Sequence, residues 1–465
     1  MGGEGRVVLV SNRTPAVFTP SSVEERRSLP VGGLVSCLRP FLETQGGVWM
    51  GWDGNSGGKV DPVPTTITEV RGISLASVSL SRDEVDGFYN IFSNRTLWPI
   101  FHSFPDKATF SHDSYRVYRD VNRKYAASLI DLLRPGDLVW VHDFHLFPLG
   151  HELRKLGWTG KIGFFLHIPF PPSEIFGIMP WARELLTCLF DYDLVGLQTP
   201  KYLHDLKESL GHELEAEIDG DTARHRGRTV KVGSFPVGAD VPAFREMALS
   251  QASTRVSRFL EDLPRDRQLL LGVDRLDYTK GIVQRMQAME QLLDDHPELR
   301  GHVTLVQISA PSRVNIPEYA RERERLDSLV GTINGKFGEV HWLPIHTLHR
   351  PYSQQDLARL YRAADACLVT PLRDGMNLVA KEFVASQTSD PGVLVLSRFC
   401  GAADSMHDAL MVNPYDFQET ASAIHRALTM PKPERQSRWK SLYEDVSGHT
   451  AHDWCYSFLD ALGDV

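Results

Sequence analysis

The segment Thr370-Pro-Leu-Arg-Asp-Gly-Met-Asn-Leu-Val-Ala-Lys-Glu382 follows an apolar run, Ala366-Cys-Leu-Val369. The run reads as a buried strand. The chain then turns at Asp374-Gly375 and enters a good helix former, Leu378-Val-Ala-Lys-Glu-Phe-Val-Ala385. A strand, a glycine turn and a helix start make an anion site. The first helix amides, here near Met376, Asn377 and Leu378, lack internal partners, and the macrodipole places about half a positive charge there. Glu382 lies one turn further in, where its carboxylate can reach hydroxyls of the group that carries the phosphate. A ribose is the natural candidate.

Outward from that segment the same pattern repeats. Val7–Val10, Leu138–Val141, Ile162–Leu166 and Leu194–Leu197 read as strands in the first half. Leu269–Val273, Val303–Ile308, Val340–Trp342, Ala366–Val369 and Val393–Leu396 read as strands in the second. Their near-continuous apolarity suits parallel strands covered on both faces. Helical stretches lie between them. Tyr125, Leu129, Leu132 and Leu133 share one face, and Arg134-Pro-Gly-Asp137 stops that helix. The alternation predicts an α/β fold, with two doubly wound parallel-sheet domains. The boundary is placed near Phe235-Pro-Val-Gly-Ala-Asp240, after the basic, polar stretch from Asp219 to Lys231. A first domain over 1–236 and a second over 237–450 are expected, with a last helix in 451–465 that either domain could hold.

Composition sets limits. A length of 465 residues predicts two or three domains. A net charge of −9 argues against a dedicated nucleic-acid binder. No apolar run approaches the ~18 residues of a membrane span. The start, Met-Gly-Gly-Glu-Gly-Arg, has no signal-peptide apolar region, and Arg6 stands where a myristoylated Gly2 would want Ser or Thr. Cys37, Cys188, Cys367, Cys400 and Cys455 are scattered and odd in number, without disulfide or zinc spacing. A reducing, cytoplasmic setting is expected.

Polar residues gather at carboxyl strand ends, where open α/β sheets bind ligands. They are Ser11-Asn-Arg13, His142-Asp143, His167-Ile-Pro, Asp274-Arg275 through Lys280-Gly281, and Ser312-Arg313; Gly32-Gly33 precedes a helical run. Arg275, Lys280, the amides near 376–378 and Glu382 describe a nucleotide-diphosphate pocket. Arg13, Arg313, Asp143, Tyr89 and Trp98 describe a second site for an anion and hydroxyls. Plainer readings exist for each residue taken singly. Arg13 is then a surface arginine, Tyr89 and Trp98 are core, His167 is a satisfied loop histidine, and His142-Asp143 caps the next helix.

At these residues the chain resembles glycosyltransferase family 20, and most closely its trehalose-6-phosphate-forming members. The matching motifs run from about Val7 to Leu462. They are Ser-Asn-Arg13, Gly-Gly-Leu34, Tyr89-Asn through Trp98-Pro, Trp140-Val-His-Asp143, Phe164-Phe-Leu-His167-Ile-Pro-Phe-Pro, Arg275-Leu-Asp-Tyr-Thr-Lys280-Gly, Arg313, Ile333-Asn-Gly335 and Thr370 to Glu382. The resemblance implies GT-B architecture, with two Rossmann-like domains facing a cleft and a final helix that crosses back to the first. It implies a retaining, metal-independent transfer of glucose from a nucleotide-glucose, UDP-glucose by default, to glucose 6-phosphate. The nucleotide-glucose is a co-substrate and no cofactor is implied. A homo-oligomer, dimer or tetramer, is implied as well. The chain stops just after its last helix, so a separate phosphatase is expected to complete trehalose synthesis.

Residue by residue, the resemblance implies that Arg275 and Lys280 hold the donor diphosphate and that Gly33 lets backbone approach it. Glu382 would bind the ribose, with Leu357 near the base. His167, Asp374 and the backbone of Met376, Asn377 and Leu378 would hold the transferred glucose. Arg13 and Arg313 would clamp the acceptor phosphate beside Tyr89, and Trp98 and Asp143 would hold the acceptor sugar. The catalytic set would be Arg275, Lys280, Asp374 and His167. No second carboxylate is suitably placed for a double-displacement mechanism; there is only Asp374, beside Arg373. One departure is His102-Ser-Phe-Pro105, where the trehalose pattern usually has an aromatic residue after the histidine. This wording, and weakly Pro180-Trp181, resembles relatives that use glycerol 3-phosphate. Gly32-Gly33, Arg313 and Asn377 follow the trehalose pattern. Glycerol 3-phosphate is the runner-up acceptor, and a non-catalytic sugar-phosphate sensor is the rival class.

Overall fold

The structure is a computed structural model that describes residues 5–15, 33–56, 66–70, 72–250, 256–313 and 316–465. Gly2 and Gly32 lie outside the described residues. The chain forms two compact units. The first holds the described residues up to 15, then 37–236 and 452–465. The second holds 33–36 and 237–451.

The first unit carries ten strands among its described residues. These are β1 (Val7–Arg13), β2 (Gly47–Ser56), β3 (Thr66–Val70), β4 (Ile73–Leu80), β5 (Leu138–His142), β6 (Ile162–Phe165), β7 (Leu194–Leu197), β8 (Glu217–Asp219), β9 (Thr222–His225) and β10 (Arg228–Ser234). The sheet order is β3-β4-β2-β1-β5-β6-β7-β10-β9-β8. Strands from β4 to β10 along that order pair in parallel, while β3, β9 and β8 add antiparallel edges. The basic, polar stretch from Asp219 to Lys231, which precedes the expected boundary, lies in the ribbon β8–β10. Its burial alternates, with Ala223, Val230 and Val232 inward, which is the pattern of an edge with one wet face.

The second unit has β11 (Gln268–Arg275), β12 (Val303–Ala310), β13 (Ile345–Leu348), β14 (Ala366–Val369), β15 (Val393–Ser397) and β16 (Leu410–Val412). Their order is β13-β12-β11-β14-β15-β16, and every pair is parallel. Numbered within the unit this is 3-2-1-4-5-6, the doubly wound order whose switch point lies between its first and fourth strands. Leu269 and Leu271 enter one apolar cluster and Leu270 enters another. Each strand thus feeds two cores, one per face. One expected strand is absent: Val340–Trp342 forms a tight turn closed by the Glu339–Trp342 bridge, with Val340 fully exposed and only Trp342 buried. The strand lies just beyond, at Ile345–Leu348. The helix expected to reach Leu133 ends at Ile130; the Leu132 and Leu133 amides bond three residues back, to Leu129 and Ile130, and Pro135 can neither donate to nor fit against the Asp131 carbonyl of a continued helix.

Two packing arrangements secure the sheets. The helix Ala451–Gly463 packs on the first unit's sheet. Phe458 stacks on Trp140 at 4.7 Å and 9°. A Cβ on Gly163 or Gly196 would stand 2.7 Å from the Phe458 ring, so these two strands carry glycine where the ring lies. In the second unit, Arg285 is fully buried on the helix Ile282–Asp295. Its guanidinium donates to Asp274 Oδ2 (2.5 Å), Gln307 Oε1 (2.7 Å) and Thr370 Oγ1 (3.0 Å). Three strands are joined at the switch point by one side chain. Removing one partner of a buried ion pair leaves the other charge without water or counter-ion. Arg285→Ala is expected to lower the second unit's unfolding free energy by about 3–5 kcal/mol, read from its urea transition. An unchanged midpoint would remove this network from its structural role.

Candidate active site

In the second unit the predicted residues converge on the switch point. Asp277, Tyr278–Lys280 and Gly281 follow β11, and Thr370 to Asn377 follow β14. Lys280 Nζ meets Asp374 Oδ2 at 2.6 Å. Asn377 Nδ2 donates to the same oxygen at 3.0 Å, and the Gly375 amide donates to Asp374 Oδ1 at 3.0 Å. Asp374 therefore spends its lone pairs on orienting Lys280 and the turn, which makes it a poor nucleophile. Gly281 has φ +64°, and a Cβ there would stand 2.2 Å from the Thr370 carbonyl oxygen. Only glycine brings the two strand ends this close. Asn377 precedes the helix Leu378–Ser386 with φ 73° and no capping bond from its own side chain. The helix amides behind it, at Leu378 and beyond, begin a helix without a side-chain cap, an arrangement that suits an anion.

Around this turn, Arg275 is exposed at the end of β11, and Met376 is buried with its carbonyl accepting from the Ala402 amide at 2.9 Å. Leu357 and Leu378 are partly buried against the apolar cluster. Gly33 lies near Leu378, where a Cβ would stand 3.1 Å from Leu378 Cδ1. Tyr361 donates to Glu382 Oε2 at 3.1 Å. Loss of water pushes the Glu382 carboxyl up to about 7, against the lowering effect of that bond. Burial pushes Asp277 upward too, but the charges of Arg313, Arg275 and Lys280 outweigh it and hold Asp277 below the usual carboxylate range. Arg313 has φ 49° and donates to Asp277 Oδ2 at 3.1 Å and to the Tyr319 hydroxyl. Arg313 thus belongs to the second unit and Arg13 to the first.

In the first unit, Arg13 ends β1 with its guanidinium 4.5 Å above the Trp52 ring. Trp52 meets Tyr89 at 6.2 Å, and Tyr89 stacks on His145 at 5.8 Å and 14°. Tyr89 rides on a π-helical segment, Val85–Leu97, which runs into Trp98–Phe101; such turns are frequent at functional positions. Trp98 is buried beside His102 and Phe144. Ser103, the departure from the aromatic pattern, takes φ 63°. Asp143 follows β5 with φ 74°, and its Oδ1 accepts from the His167 amide at 3.3 Å. His142 Nδ1 lies 3.1 Å from His167 Nε2. Burial drives the His167 ring down to about 3 and His142 well below its ordinary value, the latter helped by its neighbour, so both are neutral at working pH.

Sequence reasoning missed Trp52, Tyr319 and Tyr361. An aromatic residue carries no local sign of the charged group it will meet. Among the described residues one group could share a metal ion, His296, Glu298 and His425, with ligand atoms within 4.8 Å of one another. Its imidazoles stack at 3.7 Å and 4°, so their lone pairs run side by side rather than to a common point. It caps the far end of the helix Ile282–Asp295, away from the switch point. All five cysteines are buried and unbridged, and no helix among the described residues is long and apolar enough to cross a membrane.

Residues 5–464 match the family described as Glycosyltransferase family 20. The trehalose-6-phosphate synthase of Sinorhizobium fredii is 42% identical over 463 residues, covering 98% of each chain. The α,α-trehalose-phosphate synthase (UDP-forming) of Burkholderia xenovorans, solved with glucose 6-phosphate, superimposes with TM-score 0.92 at 38% identity, over 99% of this chain and 100% of that one. A solved E. coli chain bound with UDP-2-fluoro glucose superimposes with TM-score 0.92 at 37% identity, over 99% of both. The architecture is that of the GT-B glycosyltransferases, and the chain belongs to glycosyltransferase family 20.

Proposed function

We propose that this protein transfers glucose from UDP-glucose to glucose 6-phosphate with retention, giving α,α-trehalose 6-phosphate and UDP. The observation that carries the reading is the cluster at the second unit's switch point: Lys280 paired to Asp374, Arg275 at the adjacent strand end, and a left-handed Asn377 opening a helix N-terminus. That cluster suits a diphosphate, and Glu382 suits the ribose beyond it. Relatives at about this distance are named UDP-forming, and solved ones hold a UDP-glucose analogue and glucose 6-phosphate.

In this reading the bond from C1 to the phosphate oxygen breaks as the acceptor hydroxyl attacks C1 from the same face. The hydroxyl proton passes to the leaving phosphate, so no protein base is required. Asp374, already bonded to Lys280, Asn377 and Gly375, is not asked to form a covalent intermediate. The protein's work is to stabilise charge growing on the phosphate, and Arg275 and Lys280 do this with charge-assisted bonds of about 1.5–3 kcal/mol each. The first unit offers Arg13 for the acceptor phosphate, with Tyr89 nearby and Trp98 and Asp143 for its sugar.

The deciding assay offers UDP-, ADP- and GDP-glucose, each with glucose 6-phosphate or glycerol 3-phosphate, and identifies products by mass. Trehalose 6-phosphate formed fastest from UDP-glucose is the expected result. Glucosylglycerol phosphate would mean that Ser103-Phe104-Pro105 sets the acceptor, and no product from any pair would favour a sensor. Arg275→Ala is expected to cut turnover at least about ten-fold with an unchanged circular-dichroism melt; near-normal turnover would take Arg275 out of this role. Glu382 supplies a pH test. An ionised carboxylate accepts ribose hydroxyls better than a neutral acid, so UDP affinity should rise several-fold as pH climbs through about 7. Tyr361→Phe removes the bond that lowers this carboxyl, so the midpoint should move to higher pH. Flat UDP binding from pH 6 to pH 8 in calorimetry would separate Glu382 from the nucleotide.

A further inference from the structure

His142 is wholly buried at the end of β5, one residue before Asp143. Its Nδ1 lies 3.1 Å from His167 Nε2. Its Nε2 is buried without a hydrogen-bond partner. His167 makes no other ring hydrogen bond among the described residues, and its main chain is held by Asp143 at the amide and Gln198 at the carbonyl. Both rings are neutral, since burial suppresses the charged forms. One proton therefore lies between the two facing nitrogens, and two arrangements exist. Either His142 Nδ1–H donates to His167 Nε2, or His167 Nε2–H donates to His142 Nδ1.

The surroundings choose between them. Trp140 and Trp454 flank His142 at ring separations of 4.6 Å and 6.3 Å. Both indole Nε1–H groups are themselves buried without partners. If His167 were the donor, His142 would carry its own proton on Nε2 and add a third orphaned N–H to this cluster. In the main chain, orphaned buried N–H groups are rarer than under-used acceptors, and the same asymmetry is extended here to the ring nitrogens. With His142 as donor, Nε2 is instead a bare nitrogen, and the cluster gains no third unmet N–H.

We propose that His142 is a positioning residue for the transfer reaction: its Nδ1–H locks His167 with the proton on Nδ1, so that His167 presents an N–H donor rather than a lone pair to a hydroxyl of the transferred sugar. This rests on the functional reading above. Free imidazole side chains in water favour the opposite tautomer, with the proton on Nε2. Without His142 the ring would revert, and the sugar hydroxyl would face the wrong partner. The arrangement follows a general logic in which the bond made by one ring nitrogen fixes what the other can do.

The test is spectroscopic and kinetic, on the full chain. Long-range 1H–15N spectra of protein labelled with 15N-histidine distinguish a protonated ring nitrogen from a bare one, and His167→Gln identifies the His167 signals by their loss. In the wild type, His167 should be protonated on Nδ1 and bare on Nε2. His142→Ala leaves room for a water that can serve either tautomer, so the solution preference should return, with the proton on His167 Nε2 and kcat lowered about ten-fold with little change in KM for glucose 6-phosphate. His142→Asn keeps an N–H near the Nδ1 position and should preserve both the tautomer and most of kcat. A wild-type His167 protonated on Nε2 overturns the proposal, as does a His142→Ala variant with unchanged tautomer. Should the alanine variant fail to fold, loss of the Nδ1-protonated form in a folded His142→Asn overturns it equally. The spectra need no turnover, so a failure of the glucosyl-transfer reading would register in the product assay and not here.

Discussion

The second unit depends on one buried cation. Arg285 comes up from the helix behind β11 and touches Asp274 on β11, Gln307 on β12 and Thr370 after β14. Burying a guanidinium costs several kcal/mol unless its donors are met; here Nε and Nη1 reach polar groups fixed by the sheet, while Nη2 is buried without a partner. Gly272 makes room for it, since a Cβ there would stand 2.5 Å from Arg285 Nη1 and 2.2 Å from Gln307 Oε1. The network fixes the spacing of the strand ends on either side of the switch point. Lys280 and Asp374 stand on those two ends, so their 2.6 Å contact inherits its geometry from Arg285.

Above that foundation, the site is built from backbone that resists relaxation. Six non-glycine residues among those described have positive φ, and Asp143, Arg313 and Asn377 are three of them. Such conformations cost about 1–3 kcal/mol each and persist where surroundings over-determine them. Each of these three stands in a loop between a strand and the next helical segment, among polar groups. Asp and Asn pay least for the left-handed region. Arg313 is the outlier in residue type, and it is the one whose guanidinium is held by two buried partners, Asp277 and Tyr319.

Local chemistry was legible in the sequence where it was contiguous. Ala366–Val369 and Leu378–Ala385 announced a strand and a helix, because apolar continuity and a glycine turn need no distant partner. Val340-His-Trp342 misled because a short apolar run with one buried aromatic looks like a strand end. The ribbon Glu217–Ser234 hid because an edge with one wet face reads as polar loop. Residue types at the candidate site could be named, but their partners could not. Lys280 and Asp374 are 94 positions apart, and Tyr361 and Glu382 are 21 apart. Nothing in either neighbourhood signals the other; only the winding of the sheet does.

The last helix has a consequence for biosynthesis. Trp140, Phe165 and the glycines of β6 and β7 are covered by Trp454 and Phe458, which a ribosome makes after the whole of the second unit. At about 5–20 residues per second, the first unit waits tens of seconds with an aromatic face open on its sheet, while every residue of the second unit, 33–36 included, is already made. The second unit is thus complete in sequence before the first. During that wait the nascent first unit carries an open apolar face, which is covered only when the final helix emerges.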